Sequence, residues 1–351
     1  EFSLKNKKLI EIGSGDGQFL KMFSDKGTDV LGFEPSKTFF NLALKRGLKM
    51  KNEYFNSNSN INDNFYDAVI SRQVFEHLNN PNEVLENILQ LPVLGICSNQ
   101  PELLVPFPVS SNEKHCPKIV CHRGAETFAP ENTLSAIDLA FDQGFDIVEI
   151  DVRQTKDGVP VVMHDRSVNR TTNGSGAINK MSYAEVSQLD AGNWLDPFFA
   201  GERVPRLEDV LKHAKGRGEV YIEIKEAEPI ILLELVQHYE MIENCFFWCE
   251  DARMMDQLRV LNKAVRLMAR RYDFKTLEAV IERHQPQVIE FNGLKFKQEE
   301  LERCRELGIL SMPFYMGSGL AKLQKLIDSG TDMLNLAHPE LVKKILLRTN
   351  N

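Results

Sequence analysis

Short apolar runs alternate with amphipathic stretches of helical period from Lys118 to the end of the chain. This alternation is typical of a parallel sheet wrapped by helices, an α/β architecture. The apolar runs predict nine strands, at residues 118–122, 146–152, 159–165, 219–225, 245–250, 265–271, 287–293, 309–316 and 331–337. A closed (β/α)8 TIM barrel needs eight parallel strands, so one of the nine is expected to lie outside the barrel.

A turn between the second and third runs explains the extra strand. Asp157 and Gly158 favour a turn, so the flanking residues are predicted to form a hairpin that places His164 roughly opposite Asp151. Residues 166–205, rich in Asn, Gly and aromatics, then break the alternation and predict a small cap insertion. Barrel active sites lie at the carboxyl ends of the strands, where we expect this cap.

The first 95 residues predict a different fold, a partial Rossmann-like doubly wound α/β segment. A buried strand leads into a glycine turn and a helix, and a second strand ends in Glu34. Glycines at a helix start permit close backbone approach to a ligand, and an acid about twenty residues further on can accept hydrogen bonds from a ribose.

These features resemble the first half of the class I S-adenosylmethionine-dependent methyltransferases. The motif EIGSGDG, the strand VLGFEPS and the later pair Glu76–His77 carry the resemblance. It implies S-adenosylmethionine as a cofactor, bound by Glu11, Gly13, Gly15, Gly17 and Glu34. The resemblance ends near residues 88–92, before the strands that complete the sheet of that family, so a truncated remnant without turnover is the alternative hypothesis.

Residues 96–117 show no sustained period and are interrupted by prolines, which predicts a linker between the segment at 1–95 and the barrel at 118–351. The net charge of -8 and the lack of a long basic run argue against a nucleic-acid partner. No apolar stretch is long enough to predict a membrane span. The six cysteines form no paired CxxC arrangement, which favours reduced thiols and a cytoplasmic location. The oligomeric state is left open.

Polar residues end or interrupt four of the predicted barrel strands. They form the pairs His122–Arg123, Glu149–Asp151, His164–Asp165 and Glu223–Lys225. Alternation places Glu149 and Asp151 on one face of their strand, and Glu223 and Lys225 likewise share a face. If both faces point into the barrel, carboxylates, imidazoles and cations converge, and such a buried set is costly unless it binds a ligand.

The residue types in this set suit phosphodiester cleavage. Hard carboxylate oxygens favour Mg²⁺ or Ca²⁺ over zinc, and a divalent cation would polarise a phosphoryl oxygen. Two imidazoles can divide the proton transfers, one to the nucleophile and one to the leaving alkoxide. Arg123 and Lys225 would hold the non-bridging oxygens as charge develops.

The ordered motifs HRG, PENT, VEIDV, TKDGVPVVMHD, RTTNGSG and YIEIK make residues 118–351 similar to the glycerophosphodiester phosphodiesterase family. The resemblance implies metal ligands at Glu149, Asp151 and Glu223, and an acid and base pair at His122 and His164. It implies phosphate contacts at Arg123 and Lys225, with Glu131 helping to organise the site. The implied reaction is metal-dependent hydrolysis of a small-molecule glycerophosphodiester to glycerol 3-phosphate and an alcohol such as choline or ethanolamine.

Two segments depart from the family pattern. SMPFYMGS stands where the family often has a WTVN-like strand, so Phe314 or Tyr315 is expected to replace the tryptophan that meets the glycerol. NLAHP, residues 335–339, replaces a closing TDxP motif. These changes keep open a non-catalytic phosphodiester-binding protein as an alternative function. The motif EIGSGDG and Glu34 keep open a second alternative, a methyltransferase with an appended barrel. The sequence does not distinguish Mg²⁺ from Ca²⁺ or identify the alcohol.

Overall fold

The structure is a computed structural model that describes residues 7–55, 59, 66–71, 96–98 and 116–349. The chain divides into two compact units, Glu1–Leu104 and Val105–Asn351, and each unit is described by itself. The boundaries inferred from the sequence, 1–95, 96–117 and 118–351, remain predictions.

The amino-terminal unit contains a parallel five-stranded sheet. Its strands are β1 (Lys8–Ile12), β2 (Asp29–Phe33), β3 (Met50–Lys51), β4 (Ala68–Ser71) and β5 (Ile96–Ser98), in the spatial order β3-β2-β1-β4-β5. Helix α1 (Gln18–Ser24) follows β1, and α2 (Lys37–Lys45) follows β2. The strand order reverses between β1 and β4, as in doubly wound nucleotide-binding sheets, which confirms the predicted Rossmann-like segment.

One part of the linker prediction needs correction. Residues 96–98 were assigned to the linker, yet they form β5, with Val69 of β4 in register with Ile96. A three-residue strand is too short to show alternation, and the nearby prolines pointed to irregular structure. Residues 99–115 of the predicted linker, like Glu76 and His77, lie outside the described residues.

The first described strand of the second unit is β6 (Lys118–Cys121), and the unit contains a closed barrel of eight parallel strands. The other barrel strands are β7 (Ile147–Gln154), β9 (Glu219–Glu226), β10 (Cys245–Cys249), β11 (Arg266–Arg270), β12 (Val288–Asn292), β13 (Leu310–Tyr315) and β14 (Met333–Leu336). The barrel closes because β6 pairs with both β14 and β7. The prediction of a (β/α)8 TIM barrel is confirmed.

The ninth predicted strand, β8 (Pro160–Val162), pairs antiparallel with β7 and forms the expected hairpin. Gly158 occupies the turn with a φ of 87°, a left-handed value that favours glycine. The segment that follows packs around its own small core, which includes Val168, Ile178 and Val186. This segment corresponds to the predicted cap insertion.

Helices cover the outside of the barrel, and one short helix lies in the cap. They are α3 (Leu134–Asp142), α4 (Tyr183–Val186, in the cap), α5 (Leu207–Ala214), α6 (Pro229–His238), α7 (Ala252–Leu261), α8 (Leu277–His284), α9 (Gln298–Glu306), α10 (Leu320–Asp328) and α11 (Glu340–Thr349). Local sequence sets several of their starts, because Thr133 and Thr276 cap α3 and α8 through their hydroxyls and Pro229 opens α6. None of the helices in the described part of the chain has the length and apolar character needed to cross a bilayer.

The barrel strands are apolar on both faces. All five residues of β10 are buried, because one face meets the barrel interior and the other meets the helices. Inside the barrel, the rings of Tyr221 and Phe246 stack with centroids 4.8 Å apart. Polar side chains on the inner face are therefore exceptions that need partners or ligands.

Candidate active site

Three carboxylates meet at the carboxyl ends of two adjacent barrel strands. Glu149 and Asp151 alternate on β7, and Glu223 lies on β9 in register with Asp151. One carboxylate oxygen of each residue lies within 4.8 Å of the others. Glu149 and Asp151 are each only 1% exposed. The strand pairing therefore concentrates negative charge in a nearly dry site.

The surroundings of Glu149 show that this concentration of negative charge is unfavourable unless a cation binds. Its Oε2 accepts a hydrogen bond of 2.8 Å from the backbone N–H of Arg123. Its buried Oε1 has no hydrogen-bond partner within the part of the chain that the structure describes. Burial, together with the charges of Asp151 and Glu223, raises the pKa of Glu149 well above its usual value. A cation bound between these oxygens would relieve both problems.

The negative charge of Asp151 is offset by a hydrogen-bond donor and two cations beside its carboxylate. Asn132 donates from Nδ2 to its Oδ2 at 2.8 Å, and the Asp151 backbone N–H donates back to Asn132 Oδ1 at 3.1 Å. Arg123 Nε and Lys225 Nζ each lie 3.2 Å from its carboxylate. Burial opposes ionisation of Asp151, but Lys225 and Arg123 outweigh it and keep the pKa below the usual value. Lys225 also pairs with Glu223.

Two histidines flank the acidic cluster, each oriented by a carboxylate. His122 directly follows β6, and its Nδ1 lies 2.6 Å from Glu126 Oε1. His164 follows the hairpin strand β8, and its Nδ1 lies 2.8 Å from Asp165 Oδ1. A carboxylate on Nδ1 fixes the ring and leaves Nε2 to exchange protons with a ligand.

A chain of ion pairs joins the second histidine to the acidic cluster. Arg170, from the cap, donates to Asp165 at 2.8 Å and to both oxygens of Glu131 at 2.7 and 2.8 Å. Glu131 in turn accepts from Arg123 Nη1 at 2.9 Å. Arg170 holds the pKa of Asp165 far below its usual value. The cap thus fixes the side chains that position His164 and Arg123.

The sequence did not single out Asn132, Glu126 or Arg170. Asn132 and Arg170 do lie inside the PENT and RTTNGSG motifs, so a signal for them existed. Their partners could not be inferred, since each contact joins loops that only the closed barrel brings together. Glu126 gave no motif signal at all.

The two aromatic candidates have different surroundings. The ring of Phe314 lies 6.2 Å from the His122 ring, in an edge arrangement. Tyr315 contacts the following segment instead, because its hydroxyl accepts from Gly319 N–H at 3.0 Å and Lys322 Nζ lies 4.6 Å from its ring centre. The structure therefore brings Phe314, but not Tyr315, to the histidine.

A groove of about 640 Å³ opens beside the acidic cluster. Its lining is largely polar and includes Glu223, Lys225 and Asp251, with Trp248 and Met254 among the apolar residues. A cavity of this size is typical of small-molecule sites.

The methyltransferase-like residues gather at the carboxyl ends of β1 and β2. Gly13, Gly15 and Gly17 have left-handed φ values of 71°, 55° and 77°. Glu34 accepts hydrogen bonds of 2.8 Å from the backbone N–H groups of Gly15 and Ser36. Each Glu34 oxygen thus already has one donor, and the carboxylate ties the glycine turn to β2.

The packing of the glycine turn is tight in places. A Cβ on Gly17 would lie 2.5 Å from Leu48 Cδ1, so glycine there is required by packing. Glu11 is buried at 1% exposure, and its backbone oxygen accepts from Ser14 Oγ at 2.9 Å.

A closed parallel barrel with carboxylates, imidazoles and cations at the carboxyl ends of its strands defines a β/α-barrel enzyme. Residues 122–282 match the model of the glycerophosphoryl diester phosphodiesterase family, and residues 1–92 match a methyltransferase domain model. The crystal structure of a glycerophosphodiester phosphodiesterase from Agrobacterium tumefaciens str. C58 is 38% identical, with a TM-score of 0.63 over 65% of this chain and 99% of that one. The chain belongs to the glycerophosphodiester phosphodiesterase family.

Two curated relatives agree with this assignment. A glycerophosphodiester phosphodiesterase of Bacillus subtilis (strain 168) is 27% identical over 252 residues, which is 64% of this chain and 85% of that protein. YhdW of the same organism, named for the same activity, is 50% identical over 107 residues, 30% of this chain. The match spans 44% of the length of YhdW.

Proposed function

We propose that the barrel hydrolyses glycerophosphodiesters to glycerol 3-phosphate and an alcohol, with a divalent cation and two histidines. The observation that carries this proposal is the convergence of the Glu149, Asp151 and Glu223 carboxylates, with His122 and His164 each held by a carboxylate of its own. Membership of the glycerophosphodiester phosphodiesterase family supports the substrate class.

The donor set fits Mg²⁺ or Ca²⁺. Carboxylate oxygens are the preferred ligands of both ions, and the orphaned Oε1 of Glu149 supplies a buried acceptor that only a cation or a proton donor can satisfy. Glu149, Asp151 and Glu223 would hold the ion. When bound, it would neutralise the carboxylates and polarise a phosphoryl oxygen of the substrate.

The histidines would perform the proton transfers. In each neutral ring a carboxylate accepts the Nδ1–H, so Nε2 carries a lone pair and can act as a base. A protonated ring can donate from the same Nε2. One of His122 and His164 would take a proton from the attacking water, and the other would give a proton to the leaving alkoxide.

Arg123 and Lys225 would stabilise the charge that develops on the phosphoryl oxygens. Both cations are held by Asp151, so they are already oriented before substrate binds. Oriented donors in a site with little water stabilise a transition state without a reorganisation cost.

Release of glycerol 3-phosphate from glycerophosphocholine tests the proposal. Turnover should require added Mg²⁺ or Ca²⁺ and stop with EDTA. His122→Gln and His164→Gln should each lower kcat by about 10²–10⁴-fold. His213→Gln is the matched control, because His213 also pairs with a carboxylate, Asp138, and should leave kcat unchanged. Turnover that continues in EDTA, or equal rates in all three variants, would contradict the proposal. Tight binding of the diester without cleavage would favour a non-catalytic binding protein.

Binding of S-adenosylmethionine by the amino-terminal unit is a second candidate function. The strand order and the glycine turn beside Glu34 favour it. Calorimetric titration of the full chain with S-adenosylmethionine decides the matter. A saturating heat of binding would support S-adenosylmethionine as a cofactor. No heat of binding at high ligand concentration would favour a truncated methyltransferase remnant.

A further inference from the structure

A polar pair lies inside the barrel on the strands opposite the acidic cluster. Glu290 of β12 and Asn335 of β14 contact one another, with Asn335 Nδ2 3.4 Å from Glu290 Oε2. Their strands are separated by β13, so their backbones are roughly 10 Å apart at about 4.8 Å per strand. Side chains can close that distance most easily on the concave inner face. Glu290 and Asn335 therefore project into the barrel.

This pair lies at the catalytic end. Tyr272, in the turn Arg271–Asp273 that follows β11, donates its hydroxyl proton to Glu290 Oε1 at 2.7 Å. A residue that follows a strand lies at its carboxyl end, where barrel active sites form. On the other side, Asn335 is in register with Phe314, whose ring is the one that contacts His122.

The hydrogen bonding of the pair is incomplete. Asn335 is 2% exposed, and its buried Oδ1 accepts from no donor among the described residues. The opposite orientation of the amide would turn Oδ1 toward the Glu290 carboxylate, so the donor end belongs there. A buried acceptor without a donor is unfavourable, and proteins normally avoid it. A ligand that brings a donor would satisfy it.

The chemistry of the missing donor can be narrowed. Phosphate oxygens would be repelled by Glu290 and carry no proton for Asn335 Oδ1. A hydroxyl can donate to Asn335 Oδ1, and a second hydroxyl can donate to the remaining lone pairs of Glu290. Phe314 offers an apolar surface for the carbon atoms that carry these hydroxyls. A short polyol matches all three features.

We infer that Asn335, Glu290 and Tyr272 form a hydroxyl-binding subsite that selects the polyol half of the diester. Asn335 and Glu290 contact the hydroxyls, and Tyr272 positions the Glu290 carboxylate. The inference rests on the proposed hydrolase function and assigns substrate specificity to residues outside the acidic cluster. The subsite also gives a role to Asn335, the first residue of NLAHP.

A pair of choline diesters isolates the subsite. Glycerophosphocholine carries the two hydroxyls, and n-propylphosphocholine has the same charge and leaving group without them. Asn335→Leu and Glu290→Gln should each lower kcat/KM for glycerophosphocholine by about 10–100-fold, the usual range for leaving a polar partner unpaired. The same variants should change kcat/KM for the propyl diester by less than about threefold.

Controls separate specificity from folding. Ser311→Ala removes the side-chain hydrogen bonds with Asp332 at the start of β13. This site is on the strand between β12 and β14 but away from the subsite, so the preference between the two diesters should stay unchanged. Tyr272→Phe keeps the ring and should lower the preference less than Glu290→Gln does. Thermal melts of every variant identify any that fail to fold.

The outcomes distinguish failure of the hydrolase proposal from failure of the hydroxyl subsite. If the wild-type chain cleaves neither diester, the hydrolase proposal fails. If it cleaves both, and the Asn335 and Glu290 variants lower both rates equally or neither, the hydroxyl subsite is overturned. Equal losses would also be the result if these residues recognised the choline cation, since both diesters carry it.

Discussion

Removal of the Asn132 side chain tests how the acidic cluster is held together. Asn132 is 4% exposed and makes two reciprocal hydrogen bonds with Asp151, one of them to a charged oxygen. A buried charged bond contributes about 1.5–3 kcal/mol and a neutral one about 1 kcal/mol, so together they should stabilise the fold by about 3 kcal/mol. Asn132 also has a left-handed φ of 59°, which adds a further cost for alanine.

Two variants separate these effects. Asn132→Gly loses the hydrogen bonds without the left-handed penalty and should destabilise the barrel by about 3 kcal/mol. Asn132→Ala should cost about 1 kcal/mol more. Both should weaken divalent-ion binding by about 10–100-fold, because Asp151 loses the partner that orients it. Asn262→Ala is the matched control, since its side chain accepts one exposed bond from Ala264 N–H and should cost less than about 1 kcal/mol.

Urea unfolding followed by tryptophan fluorescence measures these free energies. The chain has two tryptophans, Trp194 and Trp248, and both belong to the barrel unit, so the signal reports that unit. Ion affinity is measured on the same samples by calorimetry. The reasoning is refuted if Asn132→Gly unfolds with a free energy within about 1 kcal/mol of wild type and binds the ion as tightly.

Two further predictions concern stability. Burial raises the pKa of Glu290 to about 7 from its usual 4.5, so the folded barrel binds a proton on this carboxylate more tightly than the unfolded chain does. The free energy of unfolding should therefore rise by about 3 kcal/mol as the pH falls from above 7 to below 4.5. Urea unfolding between pH 5 and 8 should show this gain reduced in Glu290→Gln, and parallel profiles would contradict it. Gly124 and Gly216 have the same φ of 79°. A Cβ on Gly124 would lie 2.8 Å from the backbone carbonyl carbon of Ala136, whereas a Cβ on Gly216 would have no neighbouring atom within 4 Å. The free energy of unfolding of Gly124→Ala should therefore be about 1–3 kcal/mol lower than that of Gly216→Ala. Equal losses of stability in the two variants would show that the loop shifts to accommodate the methyl group.

The barrel could be predicted because short apolar runs alternate regularly with amphipathic helical stretches along the sequence. Each parallel strand is buried on both faces and appears in the sequence as a short apolar run, and the turn at Asp157–Gly158 identifies the extra hairpin. The strand β5 was missed because three residues carry too little pattern against a proline-rich background. The two-residue strand β3 was not predicted either, so both missed strands are very short and belong to the amino-terminal unit.

The acidic cluster could be predicted in part from alternation. Glu149 and Asp151 share a strand face, and only the face itself had to be assumed. The partners of Asn132, Arg170 and Asn335 could not be predicted, because each contact depends on which loops and strands the closed barrel brings together. The same limit applies to Phe314 and Tyr315, whose different surroundings follow from the register of β13.

The proposed hydrolysis depends most on a divalent ion held by Glu149, Asp151 and Glu223. Calorimetric titration of the metal-free chain with Mg²⁺ and with Ca²⁺ measures this directly. Wild-type protein and the control Glu219→Gln, altered at the opposite end of β9, should bind one equivalent of ion. Glu149→Gln and Glu223→Gln should bind at least about tenfold more weakly. Equal affinity in all four proteins, or no binding by the wild type, would contradict the account.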